Sequence, residues 1–292
     1  MANPIDGPLL PLLMFGLMLG MGLTLTWGDF RRIAQVPTPI VTGTLLQLVA
    51  MPLAGLGIAL AFDLTPLLAV GFVVCAACPG GLGSNIFVHF GRAHTALSIS
   101  LTALATMITL LTLPLWVRIT QETVGTRSES VEVPLLGTAL ELGGFTVLPI
   151  VMGMMLRALR PGIERLERPL TAISGLGILA ALVTDNLERP EPPTDLFLES
   201  LIPCLLLIVA AGVLGLGFPR LLGLAWRDCV TIAVELCVKN ALLGMVVIAT
   251  AFDELEPLIP LFVYSTFMAG PAIVALWFYR YRGPGRGATE VP

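Results

Sequence analysis

Long apolar stretches separated by short polar connections dominate this chain. Each stretch is close to or longer than about 20 residues, the length that a helix needs to cross a bilayer. Charged residues form only 12% of the chain, whereas soluble domains contain roughly 25%. We therefore predict an all-α integral membrane protein with about nine transmembrane helices. The predicted segments are Leu9–Trp27, Pro39–Phe62, Pro66–Phe90, Thr95–Ile119, Pro134–Leu159, Leu170–Thr184, Leu196–Leu216, Trp226–Phe252 and Leu258–Tyr279.

The arginines indicate an orientation in the membrane. When the connections are assigned alternately to its two sides, twelve of the fifteen arginines fall on one side. Positive residues concentrate on the cytoplasmic side, so the N-terminus is predicted outside and the C-terminus in the cytoplasm of a multi-pass protein of the inner (plasma) membrane. The first 28 residues contain no lysine or arginine, so the first segment is expected to be retained rather than cleaved as a signal peptide. A net charge of −4 argues against a nucleic-acid partner.

The third segment contains a sequence that a continuous helix tolerates poorly. It reads Cys78-Pro-Gly-Gly-Leu-Gly-Ser-Asn85. Unwound backbone at membrane depth is tolerated where it is buried in protein or lines a cavity. Two half-helices would then direct a carbonyl end and an amide end into one site, as in secondary transporters. The alternative is a simple kink in a packed helix.

The eighth segment contains three polar residues within an apolar run: Glu235, Lys239 and Asn240. A charged side chain near the centre of a membrane helix costs about 3 kcal/mol or more, which favours a functional role for each of these residues. Lys239 is the only lysine of the chain. Glu235 and Lys239 are four residues apart, so a structural ion pair on one helix face is the alternative.

The third and eighth segments are five segments apart and are predicted to cross the membrane in opposite directions. This is the pattern of an inverted five-helix repeat that lacks one helix in its first copy. Segment four adds Ser98 and Thr102, and segment two adds Gln47. Such residues usually hydrogen-bond between helices. Facing an unwound loop and a carboxylate, they become oxygen ligands for a small cation.

Two other kinds of site are weakly indicated. Cys75-Ala-Ala-Cys78 has the spacing of a redox or zinc motif, but lacks a second cysteine pair and suitably placed histidines. The motifs of intramembrane enzymes are absent.

Glu141, near the outer end of segment five, fits either a solvated position or the lining of a transport pathway.

These residues together resemble the bile acid:sodium symporter family. The match comprises Cys78-Pro-Gly-Gly81 followed by Ser84-Asn85, Ala96 to Thr102, Gln47 before Met51-Pro52, Phe15-Gly16 to Asp29-Phe30, and Glu235 with Asn240. The resemblance implies two crossing broken helices, a core domain, a smaller panel domain and alternating access driven by sodium. Carried over to this chain, the metal ligands are Ser84, Asn85, Ser98, Thr102, Glu235 and Gln47.

The resemblance also exposes a departure at the second sodium site. There the family has a glutamine at the position of Lys239. A fixed ammonium would occupy or repel a second cation. The resemblance thus implies one sodium site centred on Glu235, with Lys239 in place of the second ion. Substrate contacts are expected from Gly81, Leu82, Gly83, Lys239 and Asn240.

We therefore expect a sodium-coupled symporter of a small organic anion, without an organic cofactor and embedded in the lipid bilayer. The alternatives are a proton-coupled or uncoupled carrier of the same fold, and an intramembrane enzyme. The chain forms a single transmembrane unit. Its core domain is expected at about 64–159 and 196–255, and its panel domain at about 8–62, 168–184 and 256–281. The sequence leaves the substrate and the oligomeric state open.

Overall fold

In a computed structural model of the chain, the described part consists mainly of helices and contains no β-strand longer than an isolated bridge. The structure describes residues 9–26, 28, 37–125, 148–160, 162–187, 194–252, 254 and 256–281. Its α-helices are α1 Leu9–Thr24, α2 Pro37–Leu45, α3 Met51–Ala61, α4 Pro66–Ala77, α5 Leu82–Phe90, α6 Thr95–Val124, α7 Leu148–Leu159, α8 Glu167–Leu187, α9 Thr194–Leu221, α10 Trp226–Cys237, α11 Ala241–Ala251, α12 Ile259–Phe267 and α13 Ala269–Tyr281. Glu141 lies outside the described residues, as does part of the fifth predicted segment.

Several of these helices are long and apolar enough to cross a bilayer. Three qualify by themselves among the described residues: Pro37–Ala61, Thr194–Leu221 and Glu256–Tyr281. A fourth candidate is α6, whose two halves are bent by 58° between Thr109 and Leu111. Pro114 explains this bend, because it has no N–H to donate to the carbonyl of residue 110, one turn earlier. The all-α membrane protein is confirmed, and the count of nine spans stays a prediction.

The helices that contain the breaks are individually short. α4 has 12 residues and α5 has 9, while α10 has 12 and α11 has 11. At 1.5 Å per residue each pair measures about 30 Å along its axis, which matches the apolar thickness of a bilayer. Each pair therefore has the length of one span divided near its middle.

Helix α1 packs closely against both α7 and α8 through glycine. A Cβ atom at Gly16 would overlap the hydroxyl of Ser174, and one at Gly20 would overlap that of Thr171, so α1 and α8 are in close contact. Gly22 of α1 likewise lies against the backbone of Ile150 in α7. Small residues allow membrane helices to approach in this way. Helices α1 and α8 both also contact α11.

The remaining helices form a second packed group around the two broken pairs. α4 packs against α3, α6 and α12, while α10 packs against α9 and α13. The contacts thus place α2, α3, α12 and α13 with the broken helices, and α7 with α1. This grouping differs from the expected division, which assigned 8–62 and 256–281 to the panel and residues up to 159 to the core.

Candidate functional site

The first helix break is built by proline and glycine. α4 ends at Ala77, and α5 begins at Leu82. Pro79 cannot donate a backbone hydrogen bond, and it disfavours helical geometry at Cys78, whose ψ is 142°. Gly81 is fully extended, with φ −107° and ψ −179°. The carbonyl end of α4 and the amide end of α5 therefore meet at this break.

The second break separates α10 from α11 at Val238, Lys239 and Asn240. Val238 is extended, with φ −98° and ψ 92°. Asn240 is the N-cap of α11, because its Oδ1 accepts the backbone N–H of Leu243 at 3.2 Å. Such a cap satisfies one of the free donors at a helix N-terminus. The amide end of α11 therefore faces the break.

The two breaks pair with each other through their backbones. Gly80 and Lys239 form an isolated antiparallel bridge. The N–H of Gly81 donates to the carbonyl of Val238 at 3.3 Å, and the N–H of Asn240 donates to the carbonyl of Pro79 at 2.8 Å. Unwound backbone at membrane depth has no water to satisfy it. Each break therefore supplies hydrogen-bond partners to the other, and the two broken helices cross here.

A buried carboxylate lies next to this crossing. Glu235, in the last turn of α10, is only 1% exposed. Its Oε1 accepts the hydroxyl of Ser84 at 2.8 Å and that of Ser98, and its Oε2 accepts the hydroxyl of Thr102 at 2.9 Å. Asn85 joins the cluster through its Oδ1, which lies 2.7 Å from the Ser98 hydroxyl. These hydrogen bonds offset part of the cost of burying the carboxylate.

Five of the six predicted metal ligands are thus brought together from three helices, α5, α6 and α10. All of the clustered ligand atoms are oxygens: two from a carboxylate, three from hydroxyls and one from an amide. Oxygen ligands suit hard cations rather than soft metals. The arrangement can therefore hold a small hard cation against a fixed negative charge.

Gln47, the sixth predicted ligand, is separate from this cluster. It lies in a π-helical turn, Leu46–Ala50, between α2 and α3. The side chain is 1% exposed, and neither its amide oxygen nor its amide nitrogen has a hydrogen-bond partner in the described part of the chain. A π-turn inside a helix often marks a functional site. Gln47 therefore makes no hydrogen bond to Glu235 within the described residues.

Lys239 is buried without a hydrogen-bond partner. Its side chain is 2% exposed, and its Nζ donates to no other group among the described residues. The alternative of a structural ion pair with Glu235 is therefore wrong in this conformation. The reason is local, because α10 ends at Cys237 and Lys239 does not lie one turn after Glu235 on a continuous helix.

A cavity of about 340 Å³ adjoins the crossing. Four of the five predicted substrate residues line it: Gly81, Gly83, Lys239 and Asn240. The side chain of Leu82, the fifth, lies outside the described part of the structure. Helices α1 and α8 form the opposite wall. Residues of α12 and Met268, which follows it, also line the cavity. These additional lining residues include Leu17, Met18, Met21, Thr171, Phe262, Ser265 and Met268.

Two residues at the site were not anticipated from the sequence. The hydroxyl of Tyr264 in α12 donates to the carbonyl of Cys237 at 2.9 Å, at the end of α10. Thr171 of α8 lines the cavity, and its buried hydroxyl has no partner within the described ranges. A tyrosine inside an apolar run needs a partner for its hydroxyl, which is the one sequence signal that could have singled out Tyr264.

Comparison with known proteins gives the family. A model of the sodium bile acid symporter family matches residues 11–186, and this region contains the first break with Ser84, Asn85, Ser98 and Thr102. The chain belongs to the sodium bile acid symporter family. Members of this family are sodium-coupled membrane transporters of small organic molecules, which supports sodium as the coupling ion.

Curated relatives of this sodium bile acid symporter family member come from bacteria, plants and animals. The human ileal sodium/bile acid cotransporter is 30% identical over 97% of this chain and 81% of its own length. The uncharacterized sodium-dependent transporter YocS of Bacillus subtilis is 27% identical over 94% of this chain and 84% of its own length. The probable sodium/metabolite cotransporter BASS1 of Arabidopsis thaliana, a chloroplastic protein, is 27% identical over 89% of this chain, and the chain spans only 64% of the length of this relative.

Proposed function

We propose that this protein carries a small organic anion together with one sodium ion, which binds at Glu235. The supporting observation is a surplus of acceptor oxygens. The Ser84 hydroxyl lies 2.6 Å from the carbonyl of Gly81 and 2.8 Å from Glu235 Oε1. Ser98 likewise approaches both Asn85 Oδ1 and Glu235. A hydroxyl has one proton, so each of these serines approaches two acceptors with a single donor. A cation among these oxygens would remove the shortage of donors.

The organic anion would bind in the adjoining cavity. Gly81 and Gly83 expose backbone at the start of α5, and Asn240 begins α11. The amide ends of both helices therefore face the cavity, and their partial positive charge favours an anion. The Oδ1 of Asn240 already accepts from Leu243, so its NH2 group is the part left to contact substrate. The apolar remainder of the lining favours a substrate with one charged end and an apolar body.

In this proposal the ammonium of Lys239 takes the place of a second sodium ion. Lys239 is buried at the crossing, and its backbone is fixed by the bridge to Gly80. Its ammonium would be a permanent positive charge at the position where, by the family resemblance, relatives with glutamine bind a sodium ion. Coupling would then involve one sodium per cycle.

Transport would proceed by alternating access between two rigid groups of helices. We propose α1, α7 and α8 as the panel and the remaining described helices as the core, in place of the expected division. The packing of α1 against α7 and α8 supports this assignment, as does the contact that α1 and α8 make with α11 of the other group. The cavity lies between the groups, so a relative rocking would expose it to either side. The arginine distribution supports a plasma-membrane orientation with the N-terminus outside.

A sodium titration of thermal unfolding tests the proposal. A ligand of the folded state stabilises it by RT ln(1 + [L]/Kd), which is about 2.7 kcal/mol at one hundred times Kd. We expect sodium chloride, but not potassium chloride, to raise the melting temperature of the wild type, and Glu235→Gln to abolish the difference. Equal responses to both salts in the wild type would refute sodium binding.

A proton-coupled carrier is the second candidate. It is favoured by the Lys239 Nζ, which lacks an acceptor in the described part of the chain, because a buried ammonium without an acceptor is costly. Uptake into proteoliposomes separates the candidates. A pH gradient without sodium would drive accumulation in the proton-coupled carrier and would fail to do so in the sodium symporter.

A further inference from the structure

A second cavity lies on the outer surface of the helix bundle, and its lining differs from that of the cavity beside the two breaks. Its volume is about 430 Å³, and it forms a groove between α9, α10 and α13. Val213 and Phe278, on its two edges, are 65% and 47% exposed, so the groove opens to the surroundings of the protein. The described side chains of its lining are almost entirely apolar. In a membrane-spanning protein this groove faces lipid.

The groove extends over about half of the bilayer. Its lining runs from Val209 to Leu216 along α9 and from Trp226 to Cys237 along α10. At 1.5 Å per residue these stretches measure about 10 and 16 Å. One leaflet of the apolar core is about 15 Å thick. Cys237 is the last residue before the central break, so the groove begins near the middle of the membrane and ends at one surface.

Three arginines lie at that surface end, one on each helix that lines the groove. Arg220 is in the last turn of α9, Arg227 is the second residue of α10, and Arg280 is in the last turn of α13. All three are exposed. Each guanidinium has five N–H donors. Arg220 donates one hydrogen bond to the Leu224 carbonyl at 3.4 Å, and Arg227 donates one to the Ala93 carbonyl at 3.2 Å.

The nearby acidic group does not neutralise these arginines by a direct contact. Asp228, which follows Arg227, has its Oδ1 2.6 Å from Nδ1 of His94. Its carboxylate is therefore directed to the turn between α5 and α6. Trp226, 39% exposed, lines the groove at the same end as the arginines. Tryptophan prefers the membrane–water interface, which places the arginines at headgroup depth.

We propose that this groove binds one acyl chain of an anionic phospholipid whose headgroup phosphate contacts Arg220, Arg227 and Arg280. The apolar groove has the length of one leaflet, and the three arginines stand at the end where a headgroup would lie. Arginine binds phosphate through paired N–H donors. Basic pockets between membrane helices commonly select anionic headgroups.

Lipid in this groove would support the helix that holds the candidate sodium ligand. Ala233, Val234 and Cys237 of α10 line the groove, while Glu235 of the same helix is directed to the hydroxyl cluster. A bound acyl chain would therefore pack against the outer face of α10. Anionic lipid is expected to stabilise the folded protein and to do so without any substrate.

Thermal unfolding in detergent, with added lipid, tests the proposal. Phosphatidylglycerol should raise the melting temperature to a plateau, whereas phosphatidylcholine with the same acyl chains should require at least fivefold higher concentration. Soluble glycerol phosphate should have no effect, because it lacks an acyl chain. Each of Arg220→Gln, Arg227→Gln and Arg280→Gln should weaken the response to phosphatidylglycerol about fivefold.

Two glycines of α9 give a matched pair of variants. A Cβ atom at Gly212 or at Gly217 would meet no other atom within 4 Å, so both tolerate a larger side chain. Gly212 lines the groove and Gly217 does not. Gly212→Leu should fill the groove and weaken the phosphatidylglycerol response about tenfold or more, while Gly217→Leu should respond like the wild type.

Several outcomes would overturn the proposal. Equal responses to the two phospholipids would show that the arginines do not select the headgroup. An effect of glycerol phosphate alone would show that the groove is not needed. Equal responses of Gly212→Leu and Gly217→Leu would place the lipid elsewhere, and a change of oligomeric state in Gly212→Leu alone would assign the groove to a second protein chain.

Discussion

Gly80 lies so close to Glu235 that a Cβ atom at residue 80 would overlap the carboxylate oxygen Oε2. The backbone of Gly80 cannot easily move away from Glu235, because it forms the bridge to Lys239. The absence of a side chain at residue 80 therefore allows the carboxylate to reach the hydroxyls of Ser84, Ser98 and Thr102.

Gly80→Ala is expected to displace the Glu235 carboxylate and to abolish the sodium-specific rise in melting temperature. Overpacking of this kind typically costs about 1–3 kcal/mol of folding stability. Gly57→Ala is the matched control, because Gly57 is exposed on α3 and a Cβ there meets nothing within 4 Å. A normal sodium response in Gly80→Ala would show that the carboxylate does not need its present position.

Thr102→Val is expected to weaken sodium binding about tenfold, or about 1.4 kcal/mol. The substitution keeps the shape of the side chain and removes the hydroxyl that lies 2.9 Å from Glu235 Oε2. Thr106→Val, one turn later on α6, is the control, since the Thr106 hydroxyl donates to the backbone carbonyl of Thr102 instead. The sodium concentration giving half of the thermal shift measures the effect. An equal change in both variants would point to general destabilisation of α6.

Lys239→Gln is expected to create a second sodium site. Removal of the fixed charge leaves an amide where the family resemblance implies a second ion, and the amide oxygen of Gln47, which has no hydrogen-bond partner in the described part of the chain, is a further candidate ligand. The sodium dependence of stabilisation should become steeper, with a Hill coefficient rising from about 1 towards 2. Arg118→Gln is the control for charge removal, since Arg118 pairs with Glu122 on the surface. An unchanged Hill coefficient in Lys239→Gln would contradict the replacement of a second ion.

Ser265→Trp is expected to block transport while sodium binding persists. Ser265 lines the 340 Å³ cavity, and a tryptophan there would occupy much of the space. Thr266→Trp is the neighbouring control, because Thr266 is exposed and does not line the cavity. Uptake assays and the sodium-dependent thermal shift measure the two functions separately. Loss of the sodium shift in Ser265→Trp would mean that the cavity and the ion site are not separable.

The position of the first break could be predicted from the sequence because proline and adjacent glycines act locally. Pro79 removes a donor, and Gly80 and Gly81 have little tendency to continue a helix. The clustering of Ser98 and Thr102 was also foreseeable, since residues four apart lie on one helix face. Their convergence on Glu235, 137 and 133 positions away, required the resemblance to a known family.

The remaining features depend on tertiary packing. The spacing of Glu235 and Lys239 predicts a pair only if the helix continues, and α10 ends between them. The grouping of α7 with α1 depends on contacts such as Gly22 with Ile150, which no local pattern encodes. The lipid-facing groove likewise arises only when α9, α10 and α13 assemble.

The reciprocal pairing of the two breaks sets a condition on biosynthesis. Gly80 and Lys239 are 159 positions apart along the chain. At about 5–20 residues per second, the ribosome needs roughly 8–32 s to synthesise the interval. During that time the first break cannot form its backbone pairing with the second. The first break can be completed only after the eighth predicted segment has been synthesised. Late truncations should therefore leave an early half that is inserted but recognised by membrane quality-control proteases.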